Sequence, residues 1–91
     1  TEGPERISLE QNYPNPFNPA TTISYTLETA ESISLEVFNI QGQKVVTLFE
    51  GMQTSGEHTA RFDASNLSSG IYLYRLQAGS QMFTRQMVLI K

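Results

Sequence analysis

The chain has 91 residues, a net charge of −3 and no cysteine, so it forms one small domain without disulfide bonds or thiol chemistry. Hydrophobic residues make up 38%, enough for one modest core, whereas charged residues reach only 16%, below the usual level of about 25%. The six lysines and arginines are dispersed, which excludes a basic stripe for nucleic acid, and no apolar run approaches the ~18 residues of a membrane span.

The first six residues predict a linker tail, because they combine Gly3, Pro4 and three charges with nothing to bury. They lack the basic and apolar regions of a signal peptide. We therefore expect any export signal to lie upstream in a longer chain, and the domain itself to span residues 7–91.

The segment 12–19 carries the densest cluster of prolines in the chain. Residues 7–9 before it alternate and predict a short edge strand. The prolines at 14, 16 and 19 lack an N–H and fix φ, which excludes a helix and a central strand. We predict a rigid, extended loop that holds Tyr13 and Phe17 at defined positions.

Six further segments alternate between apolar and polar residues, as half-buried strands do. Gly42 predicts a hairpin turn, because glycine adopts positive φ freely. In the last segment the apolar phase changes between Phe83 and Met87, which predicts a β-bulge. The strongest segment, 71–78, is expected to form the centre of its sheet together with its hairpin partner. The predicted strands are 21–27, 33–37, 44–49, 57–63, 71–78 and 81–91.

These segments give about seven short antiparallel strands and no segment of helical period. That pattern predicts an all-β fold, an Ig-like β-sandwich. The chain has no tryptophan and no cysteine pair, so an antibody-type domain is not indicated.

A hydrolytic site would need a histidine beside a nucleophile, with an orienting acid behind it. His58 is the only histidine, and Asp63 on the same predicted strand lies on the opposite face. The nine acidic residues are spread over turns and solvent faces, where Glu36 is expected to be solvated. Paired catalytic carboxylates are therefore disfavoured, and we predict no enzyme, no cofactor and no metal site.

Two sets of residues are candidates for ligand binding, and each also has an ordinary structural role. Asp63, Ser65 and Asn66 have oxygen ligands for calcium, but a turn that bonds its own backbone is favoured. Tyr72 and Tyr74 share a strand face and could stack on sugars, although a core without tryptophan needs its aromatics for packing. Composition and spacing leave a binding, anchoring or targeting module and do not decide among them.

Residues 13–25 have the sequence Tyr-Pro-Asn-Pro-Phe-Asn-Pro-Ala-Thr-Thr-Ile-Ser-Tyr. This segment resembles the opening of the type IX secretion C-terminal sorting domain (the Por secretion sorting domain family). Residues 35–45 are similar to its strand, turn glycine and second strand, and the order continues through 67–76 and 87–91. Phe62 stands where family members often carry a tryptophan. The similarity covers nearly the whole chain.

The resemblance implies an Ig-like domain at the C-terminus of a protein exported by Bacteroidetes-type bacteria. The cargo would cross the periplasm, and the type IX outer-membrane translocon would direct it to the cell surface or the extracellular space. A gingipain-like sortase would cut near residues 1–6 and could join the cargo to anionic lipopolysaccharide. No cofactor, nucleic acid or membrane span is implied, and a monomer is expected. The last strand, 87–91, would carry the recognition end.

The family motifs select candidate recognition residues in the proline segment, at two turn glycines, at the start of the strongest strand and in the last strand. The alternative is a structural or carbohydrate- or surface-binding Ig-like appendage of a secreted enzyme; the structural form would resemble a module of flagellar hook-capping proteins. The candidates are Tyr13, Pro14, Asn15, Pro16, Phe17, Gly42, Gly70, Ile71, Tyr72, Met87, Val88, Leu89 and Lys91.

Overall fold

The computed structural model describes residues 7–91, and within this range every regular element is a strand. The all-β prediction is therefore confirmed, whereas the predicted linker tail, 1–6, lies outside the described residues. The strands are β1 (Ile7–Leu9), β2 (Ala20–Leu27), β3 (Glu31–Asn39), β4 (Lys44–Gln53), β5 (Gly56–Asp63), β6 (Gly70–Ala78) and β7 (Gln81–Leu89).

The strands form two antiparallel sheets that pack as a sandwich. The three-stranded sheet has the order β1-β2-β5 and the four-stranded sheet the order β4-β3-β6-β7. Contacts between β4 and β5, and between β1 and β7, bring the sheet edges together on the two sides of the sandwich. The predicted sandwich of seven antiparallel strands is thus confirmed.

The core lies between the sheets and follows from the alternation of the strands. Ile23 and Leu27 of β2 are buried against side chains of the other sheet such as Leu35, Val37 and Leu76. Burying each side chain of this size contributes about 1.5–3 kcal/mol. A single continuous core of this kind is what holds a cysteine-free domain of this size together.

Tyr72 and Tyr74 belong to this core rather than to an exposed platform. Tyr74 is fully buried and Tyr72 is 8% exposed. The hydroxyl of Tyr72 donates to the Ser68 carbonyl at 2.8 Å, so its polar end is satisfied inside the fold. The core-packing interpretation is confirmed, and these two rings are not available for stacking on a sugar.

The prediction that β6 and its hairpin partner β7 form the centre of the larger sheet is right for β6 and wrong for β7. The β6 strand is central, but β7 lies at the edge, and β3 takes the other central position. Alternation along a strand indicates which of its faces is buried but not which strands lie beside it, so the pattern of β7 could not distinguish an edge from a central position.

The predicted bulge in the last strand is also wrong. The register between β6 and β7 runs without a shift from Ala78 opposite Gln81 to Gly70 opposite Leu89. Arg85 stands at an inward position of β7, between Phe83 and Met87. A charged residue at such a position interrupts the apolar alternation of the sequence in the same way as a bulge would. Register shifts occur instead between β3 and β4.

Gly42 forms the turn that the sequence predicts between β3 and β4. Its φ is 85°, in the region that favours glycine. The side-chain oxygen of Asn39 accepts hydrogen bonds from the backbone N–H groups of Gln41 and Gln43, each at 3.0 Å. This side chain therefore fixes the hairpin from within.

Candidate recognition site

The proline-rich segment, which we call the proline loop (residues 12–19), lies along the outer edge of β7. The Phe17 N–H donates to the Val88 carbonyl, and the Ile90 N–H donates to the Phe17 carbonyl, both at 3.0 Å. The Asn15 side-chain oxygen accepts from the Val88 N–H at 3.0 Å. Two motifs that lie 73 positions apart in the sequence therefore form one structural unit.

A buried polar network holds the base of the proline loop. Asn12 is 2% exposed, and its N–H donates to the Tyr74 hydroxyl at 2.8 Å. Its side-chain amide donates to the Thr21 hydroxyl at 3.0 Å and to the Pro14 carbonyl at 3.1 Å. The Tyr74 hydroxyl donates in turn to the Glu10 carbonyl at 2.6 Å, and burial raises the pKa of Tyr74. Because these groups satisfy one another, the loop has one fixed shape.

The proline loop points its two aromatic side chains in opposite directions. Phe17 is 2% exposed, and its ring centroid lies 6.0 Å from that of Phe62 in a tilted arrangement. Tyr13 is 81% exposed, while its backbone pairs with Thr22 of β2. Phe17 is therefore a core residue, and Tyr13 is free to contact a partner.

The register of the larger sheet gathers the predicted recognition residues at one end of the molecule. The N-terminal half of β6 lies beside the C-terminal half of β7, and the β3–β4 turn follows β3 at the same end. Four of the candidates are buried and act within the core: Phe17, Tyr72, Met87 and Leu89. The exposed candidates are Tyr13, Pro14, Asn15, Pro16, Gly42, Ile71 and Lys91, while Gly70 and Val88 are half-buried.

The last residue of the chain is anchored to the turn before β6. The Lys91 N–H donates to the Ser69 hydroxyl at 3.0 Å, and the Lys91 ammonium donates to the Ser65 carbonyl at 2.6 Å. These bonds hold residues 90 and 91 against the fold, so the segment after β7 keeps a defined position.

An apolar patch covers this end of the outer face of the larger sheet, and we call it the apolar end. Phe38 lies opposite Leu73, and Ile71 lies opposite Val88, with these side chains on the solvent side of the sheet. Ile71 is 43% exposed. Contiguous exposed apolar surface of this kind marks contact sites. The apolar end consists of Phe38, Ile40, Ile71, Leu73, Val88 and Ile90.

Sequence reasoning missed four members of the apolar end: Phe38, Ile40, Leu73 and Ile90. A signal was present, because Phe38 at the end of β3 and Leu73 near the start of β6 stand in the outward phase, where a solvated face would carry polar residues. The inward residues of the same strands already explained the alternation, so no function was assigned to the outward apolar residues.

A charged cluster borders the apolar end. Glu36 pairs with Arg75 at 3.2 Å and with Lys44 at 3.3 Å, and the Arg75 guanidinium lies 4.4 Å from the centre of the Phe38 ring. The Glu36 side chain is only 15% exposed, so the expectation that it is simply solvated is wrong. Two cationic side chains from neighbouring strands cover it.

The candidate catalytic and calcium-binding residues have structural partners. His58 Nε2 lies 2.8 Å from the Thr54 carbonyl oxygen, and its ring stacks on Tyr25. Asp63 accepts hydrogen bonds from the hydroxyl and from the N–H of Ser65, which lower the pKa of Asp63. The turn interpretation of Asp63 is confirmed. Within residues 7–91, no three histidine, aspartate or glutamate side chains are grouped so that they could hold a metal ion.

Fold and site together define a β-sandwich module whose first motif is tied to its last strand. The chain belongs to the secretion system C-terminal sorting domain family, because the model of that family matches residues 11–91. The identification from the motifs is thereby confirmed. Membership implies export to the cell surface or the extracellular space.

Two solved structures from Porphyromonas gingivalis share the fold. Dimeric latent PorU matches with a TM-score of 0.73 and 14% identity, over 97% of this chain and 10% of that one. PorZ, described as an essential bacterial surface component of the type-IX secretion system, matches with a TM-score of 0.59 and 18% identity, over 93% of this chain and 11% of that one. The chain therefore spans about a tenth of each of these proteins.

The search of curated proteins returned no significant match. Across residues 7–91 the structure contains no helix that is long and apolar enough to cross a membrane.

Proposed function

We propose that this domain is the sorting signal that directs an exported cargo protein through the type IX outer-membrane translocon to the cell surface. The observation that carries the proposal is the family match over residues 11–91, which includes both motif segments that the fold joins. The domain acts by being recognised, and its cargo supplies any chemistry.

The translocon must recognise a handle that recurs on unrelated cargoes, so the handle must keep one shape. The bonds between the proline loop and Val88 give the last strand such a shape before binding, which reduces the entropic cost of recognition. Beside it, the apolar end offers the contact surface, and the cluster around Glu36 borders that surface with charge.

The processing steps belong to the same proposal. The cargo crosses the periplasm, and a gingipain-like sortase cuts near residues 1–6, after which the freed cargo end can be joined to anionic lipopolysaccharide. The strand β1 follows this segment directly, so a cut there releases the cargo and leaves the sandwich whole.

A reporter protein fused before this domain tests the proposal in a bacterium that has the type IX system. The complete domain is expected to bring the reporter to the cell surface. Deletion of residues 88–91 removes the pairing of the last strand with the proline loop, and we expect that reporter to remain in the periplasm. Cell fractionation and surface labelling measure the two pools.

A structural appendage is the alternative function, and it predicts a different result. The reporter would then reach the same compartment with the complete domain, with the truncated domain and with no domain at all. A melting curve of the truncated domain separates loss of recognition from loss of the fold.

A further inference from the structure

The first half of β7 has an unpaired outer edge. Successive residues of an antiparallel strand point their N–H and C=O groups to opposite sides, so every second residue faces outward. Val88 faces outward, because its backbone binds the proline loop, and therefore Met82, Thr84 and Gln86 do as well. The Gln11 side-chain amide donates to the outward carbonyl of Gln86 at 2.7 Å. The other outward backbone groups of these three residues have no hydrogen-bond partner within residues 7–91. We call Met82, Thr84 and Gln86 the free strip.

A cleft of about 660 Å³ lies beside the free strip. It lies along β7 and β1, and its lining includes Phe83 and Arg85 of β7 and Ile7 and Leu9 of β1. Both strands are edge strands of their sheets. A strand added to the free strip would point alternate side chains into this cleft.

Arg85 gives the cleft a chemical preference. Its Nε–H donates to the Leu9 carbonyl at 2.5 Å, but its two terminal amino groups bind no other residue in the part of the chain that the structure describes. Glu10 lines the same cleft without forming an ion pair with Arg85. A carboxylate on an added strand would pair with these amino groups through charge-assisted hydrogen bonds.

The same arginine disfavours a second copy of this chain as the occupant. Consider two copies whose β7 edges pair antiparallel with Thr84 opposite Thr84. Arg85 of one copy would then lie opposite Phe83 of the other. The two Arg85 side chains would be diagonal neighbours on the inward face. Like charges at such positions destabilise the pairing, and inward-pointing charges are a known protection of sheet edges.

We propose that the free strip binds an extended segment of another polypeptide as a fifth strand of the larger sheet. Backbone hydrogen bonds provide affinity, and the cleft selects an acidic side chain beside Arg85 and an apolar one beside Phe83. The proline loop confines the added strand to this half of β7, because it occupies the outward groups of Val88. This inference goes beyond the sorting role and does not depend on cargo export.

Titration of the ¹⁵N-labelled 91-residue chain with two seven-residue peptides tests the proposal by NMR. One peptide alternates valine with threonine and carries one aspartate, and the other carries lysine in its place. The aspartate peptide is expected to shift the amide signals of Met82, Thr84 and Gln86 and to bind more tightly. With Arg85→Glu the preference is expected to reverse to the lysine peptide.

Variants at Thr84 isolate the backbone contribution. Thr84→Pro removes an outward N–H and leaves the pairing with β6, since proline is tolerated where the N–H faces away from the sheet. We expect it to weaken binding of the aspartate peptide about tenfold, the effect of one lost hydrogen bond. Thr84→Ala keeps the N–H and is expected to stay within about twofold of the parent chain. If Thr84→Pro unfolds, Met82→Pro makes the same test.

Four results would overturn the proposal. These are binding of neither peptide, signal shifts confined to another surface, equal binding by Thr84→Pro and Thr84→Ala, and self-association of the free chain through the same amides. Sedimentation of the unliganded chain detects the last of these.

Discussion

Phe17 and Tyr13 lie in the same proline loop, yet one side chain is 2% exposed and the other 81%. The prolines in the sequence predict that both rings are held in place, but not which ring faces the core. A strand reveals its inward face by alternation, whereas an irregular loop has no period. Only the contacts with Phe62 and β7 assign Phe17 to the core and leave Tyr13 for contact.

Replacing Phe17 with alanine is expected to lower the free energy of unfolding by about 3–5 kcal/mol, since it removes a buried aromatic side chain and leaves a cavity. Tyr13→Ala is the matched control and is expected to change stability by less than about 0.5 kcal/mol. Urea unfolding of both variants measures the difference. An unchanged midpoint for Phe17→Ala would show that this ring does not support the core.

At the scale of elements, alternation predicted which residues form strands and which faces they share. The predicted strand 21–27 corresponds to Ala20–Leu27, and 71–78 corresponds to Gly70–Ala78. The period of a strand does not specify its neighbours, so the edge position of β7 could not be predicted in this way. The pairing of Phe17 with the end of β7 was equally hidden, because it joins distant segments through backbone groups that every residue carries.

One side chain, that of Asn15, contributes a hydrogen bond to the contact between the proline loop and β7. Asn15→Ala removes the acceptor of the Val88 N–H, and we expect a loss of about 0.5–1.5 kcal/mol in stability and faster hydrogen exchange at that amide. Asn18→Ala is the matched control, because the Asn18 side chain makes no hydrogen bond within residues 7–91. Exchange rates at Val88 that are equal in the two variants would mean that Asn15 does not hold the strand.

At the scale of the whole molecule, the fold separates the buried motif residues from the exposed ones. Five buried aromatic residues belong to the continuous core that holds this cysteine-free chain together, and the buried motif residues are part of that core. The exposed motif residues gather at one end, beside the apolar end. The motifs selected Ile71 and Val88 as candidates but not Phe38 or Leu73, because only the sheet register places these side chains beside one another.

We propose that the translocon recognises the domain at the apolar end, and surface display of a reporter is the direct measurement of this. Ile71→Lys places a charge in that patch, and Met52→Lys places the same charge on an exposed apolar residue at the opposite end of the sheet. Both variants are expected to keep the parent melting temperature. We predict that the reporter carrying Ile71→Lys stays in the periplasm while the one carrying Met52→Lys reaches the surface. Equal display of the two reporters would contradict the claim.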